Sequence, residues 1–390
     1  MADNAEVKAG WLTLDAIQKN HFYALLKNKL CRFNQTLTLG AHWAWPSYSP
    51  STNYLRKILI IQTAFIGDAV LATALANSFK VAFGSLVQVD MLVRAEVAEL
   101  IGHCPAVHAV HVFNKREGRL KQIIILSSQF RAEKYEAVIN LQRYMTTGLL
   151  TLLSGAEATA GFAQNPVSLF FARRLKHTFR IGCHETQRNL ELAQLLFKHL
   201  AWAPPILIPN AADTATVNAL CGNAPYVCLA PASVWATKRA PDSFWVAAAK
   251  QAPMWAEVCW LGGPADRPAL EALVRKAGRG RVMAGELSLI QSADLMRRSL
   301  ITFANDSGPV HLAAAVDASV CTVYCSTAPL FGFYPISSKS FVIEEGIGLH
   351  CRPCGLHGHS ACPRGHFLCG KLLNEQIETV YAAVLASAPS

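Results

Sequence analysis

Asn305-Asp306-Ser307-Gly308-Pro309-Val310-His311 is the stretch on which the reading of this chain turns. It follows an apolar run of strand length, Leu300 to Ala304, and precedes Leu312 to Val316, which reads as a helix. A strand that ends in a polar, glycine-containing turn and opens a helix is one half of a βαβ unit. Pro309 suits the first helical turn, where a missing N–H is not needed. The free N–H groups and the positive dipole end at such a terminus favour an anion, typically a phosphate. His311, one turn in, can reach the same anion. The plainer reading is that Asp306 or Ser307 caps the helix.

A second strand–turn–helix unit stands near the start. Lys57 to Gln62 is an apolar run, Thr63-Ala64-Phe65-Ile66-Gly67-Asp68 follows, and Ala69 to Lys80 is helical. Asp68 sits where a strand's carboxyl end meets a helix, the place where open α/β sheets bind ligands; a capping Asp is again the plain alternative. Neither unit carries GxGxxG or GxxxxGK[ST], so a dinucleotide fingerprint and a P-loop are both missing.

Between and beyond these units, strand and helix patterns alternate. Leu86 to Val93, Val107 to Phe113 and Ala137 to Leu141 read as strands, with helices at Ala95 to Ile101 and Leu120 to Ala132. After the proline-rich Ala203-Pro204-Pro205 a second series begins: Tyr226 to Leu229, Val258 to Leu261, Arg281 to Met283, Leu300 to Ala304 and Val320 to Tyr324. Such alternation predicts parallel sheets in two similar α/β domains.

The segments IIQTAFIGDAVLATAL (60–75), PASVWATKRAP (231–241), NDSGPVHLAAA (305–315) and CRPCGLHGHSACPRGHFLCG (351–370) together resemble, in order and spacing, the ADP-heptose:lipopolysaccharide heptosyltransferases of glycosyltransferase family 9. The likeness runs from about Arg56 to Leu385. It implies a GT-B fold, two Rossmann-like domains with parallel sheets facing across a cleft, and catalysis without a metal ion. The boundaries expected are an N-terminal extension and linker at 1–54, an acceptor domain at 55–205, a nucleotide-sugar domain with a Cys-rich tail at 206–372, and a last helix at 373–390 that by analogy crosses back to the first domain. The reaction implied is inverting transfer of heptose from ADP-heptose to the lipopolysaccharide inner core. A relative using another nucleotide sugar or acceptor, or a nucleotide-sugar epimerase of the same architecture, is the alternative.

Such a transfer needs a base for the acceptor hydroxyl and positive charge for the departing diphosphate. Asp68 matches the family's catalytic aspartate, and a weak base suffices when proton transfer is late. Lys238 matches the residue that places an ammonium on the diphosphate, and Ser307 with the Ser307 and Gly308 N–H groups would hold other oxygens. Thr63, Gly67, Ser233, Arg239, Asp306 and His311 stand in the same motifs and are assigned to the donor. Ala240 stands where a bulky aromatic is common in the family, and Asn140 where Asp is usual. Gly263 would let the backbone approach a nucleotide and Asp266 or Glu271 could hold ribose hydroxyls, unless the turn is only a surface turn. Arg94 and Arg143, with Lys115 and Arg116, follow strand ends and could meet acceptor phosphates or carboxylates.

The tail places Cys351, Cys354, Cys362 and Cys369 among His350, His357, His359 and His366. Two readings stand: a structural four-thiolate zinc site, or thiols in a loop near the donor site, either reduced and buried or forming a redox-sensitive pair. Neither supplies a catalytic metal.

With 390 residues, 52% of them hydrophobic and 16% charged, the chain is a packed two-domain protein rather than a disordered one. No uncharged apolar stretch reaches about 18 residues, so no membrane span is expected, and the acidic start is not that of a signal peptide. Twelve cysteines without an export signal fit free thiols in a cytoplasm. The formal net charge of +10 calls for an anionic partner. Nucleic acid is not expected, since no RNA-binding aromatic pattern or dense basic helix is present. A phosphorylated glycolipid at the inner membrane's cytoplasmic face fits, with Lys19, Lys27, Lys29 and Arg32 on a helical N-terminal segment as one contact. The plainer reading of that segment is a helix packed on the domain.

Overall fold

The computed structural model describes residues 55–114, 118–222, 224–344, 348–371 and 374–386. The N-terminal extension, with its basic segment, and Lys115 and Arg116 lie outside the described residues. The chain forms two compact units. Of the described residues, one holds Leu55 to Thr178 together with Glu185–Pro205; the other holds Phe179–His184 and those from Ile206 onward.

The first unit alternates as the apolar runs require: β1 (Arg56–Ile61), α1 (Ile66–Phe83), β2 (Val87–Arg94), α2 (Ala95–Gly102), β3 (Ala109–Phe113), α3 (Arg119–Glu133), β4 (Ala137–Asn140), α4 (Met145–Leu153), β5 (Ala158–Phe162), β6 (Arg173–Leu175) and α5 (Glu185–Gln194). The strand order is β3-β2-β1-β4-β5-β6, and every paired strand is parallel. This is the Rossmann order, which switches direction between β1 and β4. β1 reads as a continuous hydrophobic run because helices cover both faces, and Ile58 to Ile61 are wholly buried. On one face Ile123, Leu126 and Phe130 of α3 pack with Leu150 of α4 onto Leu59, Ile61 and Leu92. By length and composition α1 continued to Leu86 could cross a membrane. Its Val70, Leu71, Ala72, Ala76 and Phe79 are wholly buried within the protein, as in a helix laid on a parallel sheet.

The second unit contains α6 (Ala211–Cys221), β7 (Tyr226–Ala230), α7 (Asp242–Gln251), β8 (Glu257–Trp260), α8 (Arg267–Ala277), β9 (Arg281–Val282), α9 (Leu289–Arg298), β10 (Thr302–Asn305), α10 (Gly308–Ala315), β11 (Val320–Tyr324), β12 (Ser340–Glu344) and α11 (Asn374–Ala386). Its order, β12-β11-β10-β7-β8-β9, repeats the first sheet's topology, with all pairs parallel. The switch point falls between β7 and β10, where Lys238 and Asp306 follow their strands. Two such Rossmann-like units make the GT-B fold class.

Two boundaries differ from the sequence expectation. Phe179–His184 belongs with the second unit: buried His184 directs Nε2 to the Tyr334 carbonyl at 3.1 Å and packs edge-on to the Tyr334 ring. The last helix, α11, expected to cross back to the first domain, builds the second unit's core. Its apolar positions Ile377, Val380, Tyr381 and Val384 pack with Phe244, Trp245 and Phe303, and the Tyr381 hydroxyl donates to the Ala248 carbonyl at 2.8 Å. A helix with one apolar face goes where that face is covered.

Candidate active site

In the second unit the site is built at the carboxyl ends of β7 and β10. Asn305, wholly buried at the end of β10, ties the two strands' loops together: its Nδ2 donates to the Pro231 carbonyl at 2.6 Å, and its Oδ1 accepts from the Ala240 N–H at 2.9 Å. Ala240 is thereby packed, with its carbonyl accepting from Trp245 Nε1, and the missing aromatic leaves no gap in this bonding. Lys238, in the turn Ala236–Lys238, is largely buried and extends to Asp306. Its Nζ lies 2.7 Å from Asp306 Oδ2 and donates to the Asp306 carbonyl at 3.2 Å. Asp306 Oδ2 also accepts from Thr327 Oγ1 at 2.7 Å. The Asp306 side chain is thus a bracket for the lysine and not a helix cap.

Ser307 does not cap either. It stands at the N-cap of α10 in an extended conformation with no side-chain cap bond, its Oγ donating to the Ala232 or Asn305 carbonyl. The first turn of α10 therefore presents backbone N–H groups that no cap side chain occupies, and Pro309 sits in that turn. His311 is buried, and its Nδ1 has no hydrogen-bond partner among the described residues. Burial pushes its pKa down to about 4, with the Asp306 charge opposing and Lys238 adding to the fall. It is a neutral imidazole at neutral pH. An ammonium, an uncapped helix N-terminus and an unpartnered neutral imidazole together suit a diphosphate.

Arg239 is exposed and donates to the Ser233 carbonyl at 2.7 Å, stapling its own loop. Gly263 and Asp266 lie after β8, where Asp266 Oδ2 accepts the Gly263 N–H at 2.8 Å. That turn is capped by Asp266, while Glu271 is exposed on α8.

In the first unit the site lies after β1. Thr63 and Gly67 are buried in the turn. Asp68 is the third residue of α1, and its Oδ2 accepts the Phe65 N–H at 3.3 Å. Its pKa is pushed up to about 6, chiefly by burial and then by the charge of Glu185, against the Phe65 N–H, Arg143 and its own N–H. Glu185 opens α5. Burial opposes its ionisation, yet bonds from His177 and Arg188 hold its pKa down at about 2, with Arg188 Nε at 2.8 Å. An ionised, buried carboxylate thus stands behind Asp68. Arg143 is exposed, and Arg94, half-buried, lies 3.4 Å from Glu96. Asn140 donates to Thr151 Oγ1 and accepts the Gln142 N–H; an ionised Asp could not make the first of these bonds. Gln142 Nε2 in turn bonds Gln62 Oε1.

Among the described residues the four tail thiols do not form an assembled metal site: no three His, Cys, Asp or Glu are gathered as a metal would require. Cys369 is drawn into the hydrophobic core, the Cys354 thiol donates to the Cys351 carbonyl, and Cys351 Sγ lies 3.8 Å from His366 Nε2. The tail instead buttresses the lysine loop. Thr237 Oγ1 accepts from the His359 N–H at 2.7 Å and from Ser326 Oγ at 2.9 Å. Gly358, at φ +73°, brings the tail so close that a Cβ would press on Thr237 and Lys238. Buried Arg352 anchors the tail on Glu344 and on the Cys325 and Thr327 carbonyls. Among the described residues no two cysteines are joined in a disulfide.

The family model for glycosyltransferase family 9 (heptosyltransferase) matches residues 123–356. The chain belongs to glycosyltransferase family 9. Family members similar to it include lipopolysaccharide heptosyltransferase 1 of Pseudomonas aeruginosa, 26% identical over 76% of this chain and 86% of the relative. Lipopolysaccharide heptosyltransferase 2 of Escherichia coli is 23% identical over 75% of this chain and 89% of the relative. The solved structure of the E. coli ADP-heptose lipopolysaccharide heptosyltransferase II superposes with a TM-score of 0.67 at 20% identity, covering 85% of this chain and 98% of that one. Within this glycosyltransferase, the residues read from sequence fall into two groups. Lys238, Asp306, Ser307, Gly308 and His311 share one switch point; Thr63, Gly67, Asp68 and Arg143 surround the other. The roles of Asn305, Thr327, Thr237, His359 and Glu185 escaped sequence reading because they lie in contacts distant along the chain.

Proposed function

We propose that this chain is an inverting glycosyltransferase that moves heptose from ADP-heptose to the inner core of lipopolysaccharide. One observation carries the reading: the switch point of one sheet holds a carboxylate of raised pKa, and that of its twin holds an ammonium bracketed at a helix N-terminus. The names of the relatives supply the substrates.

Asp68 takes the acceptor hydroxyl proton as the anomeric carbon is attacked. A pKa near 6 leaves it ionised at neutral pH and makes it a stronger base than an ordinary aspartate. The leaving diphosphate meets Lys238 Nζ and the N–H groups of Ser307 and Gly308, which are fixed in place beforehand. Neutral His311 adds a hydrogen bond to a phosphate oxygen. Asp306 acts through Lys238, aiming it. Ser233 and Arg239 border the diphosphate, and the Gly263–Asp266 turn borders the ribose. Arg94 and Arg143 face anionic groups of the acceptor. Because Lys238 and the helix terminus supply the positive charge, no metal ion or other cofactor is needed for transfer. The enzyme works in the cytoplasm at the inner membrane, where a lipid-anchored core is displayed, and it does not bind nucleic acid.

The test is acceptor-dependent release of ADP. Purified protein should release ADP from ADP-heptose rapidly only when core glycolipid is added. ADP release that ignores the acceptor would mark a hydrolase or an epimerase and refute the proposal.

A further inference from the structure

We infer that the carboxyl rim of the first sheet is a docking surface for the face of an anionic phospholipid bilayer. In a parallel sheet the strands all end at one edge, so the segments that follow β1, β3, β4 and β5 emerge on the same rim as Asp68. That rim is apolar where soluble surfaces are usually polar. Leu120 and Ile124, four apart on α3, are 76% and 70% exposed, while Ile123 and Leu126 of the same helix are buried in the core. Leu169 and Phe170, in the loop after β5, are 70% and 75% exposed. Tyr144 and Met145, at the start of α4 beside α3, are exposed too. Single exposed apolar residues are ordinary, but several from separate segments gathered on one edge mark an interaction surface.

The charge on the rim names the occupant. Among the described residues of these four turns, Asp68 is the only acid, whereas Arg119, Lys121 and Arg143 are exposed bases. Neither Arg119 nor Lys121 is in an ion pair among the described residues. After β2, Arg94 is paired with Glu96. Apolar side chains of intermediate depth flanked by bases are what an anionic lipid interface takes up, whereas a protein partner would call for no such one-sided charge. Docking there would bring Asp68 beside a lipid-anchored acceptor, a consequence that rests on the function proposed above; the docking itself does not.

Sedimentation with vesicles of phosphatidylglycerol and phosphatidylethanolamine tests this on the full chain. Wild type should sediment, and part of the binding should survive salt near 1 M, where the screening length is about 3 Å. The pairs Leu120→Ser with Ile124→Ser, and Leu169→Ser with Phe170→Ser, should each weaken partitioning by about tenfold or more. With a water-soluble delipidated core as acceptor, both variants should turn over like wild type; with vesicle-borne glycolipid they should slow. Wild-type partitioning by the variants overturns the inference, and so does binding that salt abolishes completely, which would assign it to charge alone. Absence of vesicle binding with a dimer that the substitutions dissociate would give the surface to a second copy of the chain. Loss of turnover on the soluble acceptor in wild type would instead fault the proposed function.

Discussion

Lys238 Nζ is held twice by one residue, at 2.7 Å from the Asp306 carboxylate and 3.2 Å from the Asp306 carbonyl. The residue just before the N-cap of the anion-facing helix thus aims the ammonium. Two predictions follow from treating the pair as one device. Lys238→Ala should lower kcat and raise the donor KM, with a total loss near the 10²–10³-fold typical of removing one preorganised donor. Asp306→Ala should cost less, and the double variant should be no worse than Lys238→Ala, because residues acting as a unit are not additive. Additive losses in steady-state kinetics would separate the two residues' roles.

Asp68→Asn keeps the size of the side chain and removes the base. Turnover should fall by about 100-fold or more while donor affinity, read by calorimetry with ADP, barely changes. Near-normal turnover would remove Asp68 from the mechanism.

The pH profile should carry the same information. A base with a pKa near 6 is inactivated as pH falls through that value, so kcat/KM should show an acidic limb near pH 6. Glu185 raises that pKa by like charge, so Glu185→Gln should move the limb to lower pH while leaving its shape. A limb that stays in place, or moves up, would exclude Glu185 as the tuning charge.

His311 gives a stability prediction. Its folded pKa, about 4, lies below the ordinary value of 6.5. A depressed imidazole pKa means the folded state binds the proton less readily than the unfolded chain. Stability from this site is therefore full above about pH 6.5 and is lost between there and about pH 4. His311→Gln should flatten that part of the denaturation-midpoint curve against pH. An unchanged curve would place the acid sensitivity elsewhere.

Metal removal should leave turnover intact, since the leaving charge is met by Lys238 and the start of α10. Elemental analysis of untagged protein should give well under one zinc per chain, because no three His, Cys, Asp or Glu among the described residues are gathered as a metal would require. Activity lost to a chelator and restored by Mg²⁺, with the circular dichroism unchanged, would contradict this.

Much of the architecture was legible because parallel strands buried on both faces read as plain apolar runs. β1, β7 and β10 were found this way, and the polar turns after them stood out. The strands that were not read lie at or next to a sheet edge: β5, with Ala and Gly in ATAGF, the edge strand β6, with two arginines in three residues, and the half-buried edge strand β12. Their pattern is too short or too mixed to separate from a loop. The motif at 305–311 was visible, yet Asn305's part was not, because its partners Pro231 and Ala240 are supplied by another strand. Glu185 carried no local signal: it becomes informative only once α5 packs against α1. The spacing of the tail cysteines suggested zinc because spacing alone cannot reveal that one of them enters the core.

The most direct measurement is mass spectrometry and NMR of the acceptor after incubation with ADP-heptose. The account predicts a core glycolipid heavier by one heptose, joined with the anomeric configuration opposite to that in the donor, and no such product from Asp68→Asn on the same time scale. An unmodified acceptor, or a product that retains the donor's configuration, would contradict it.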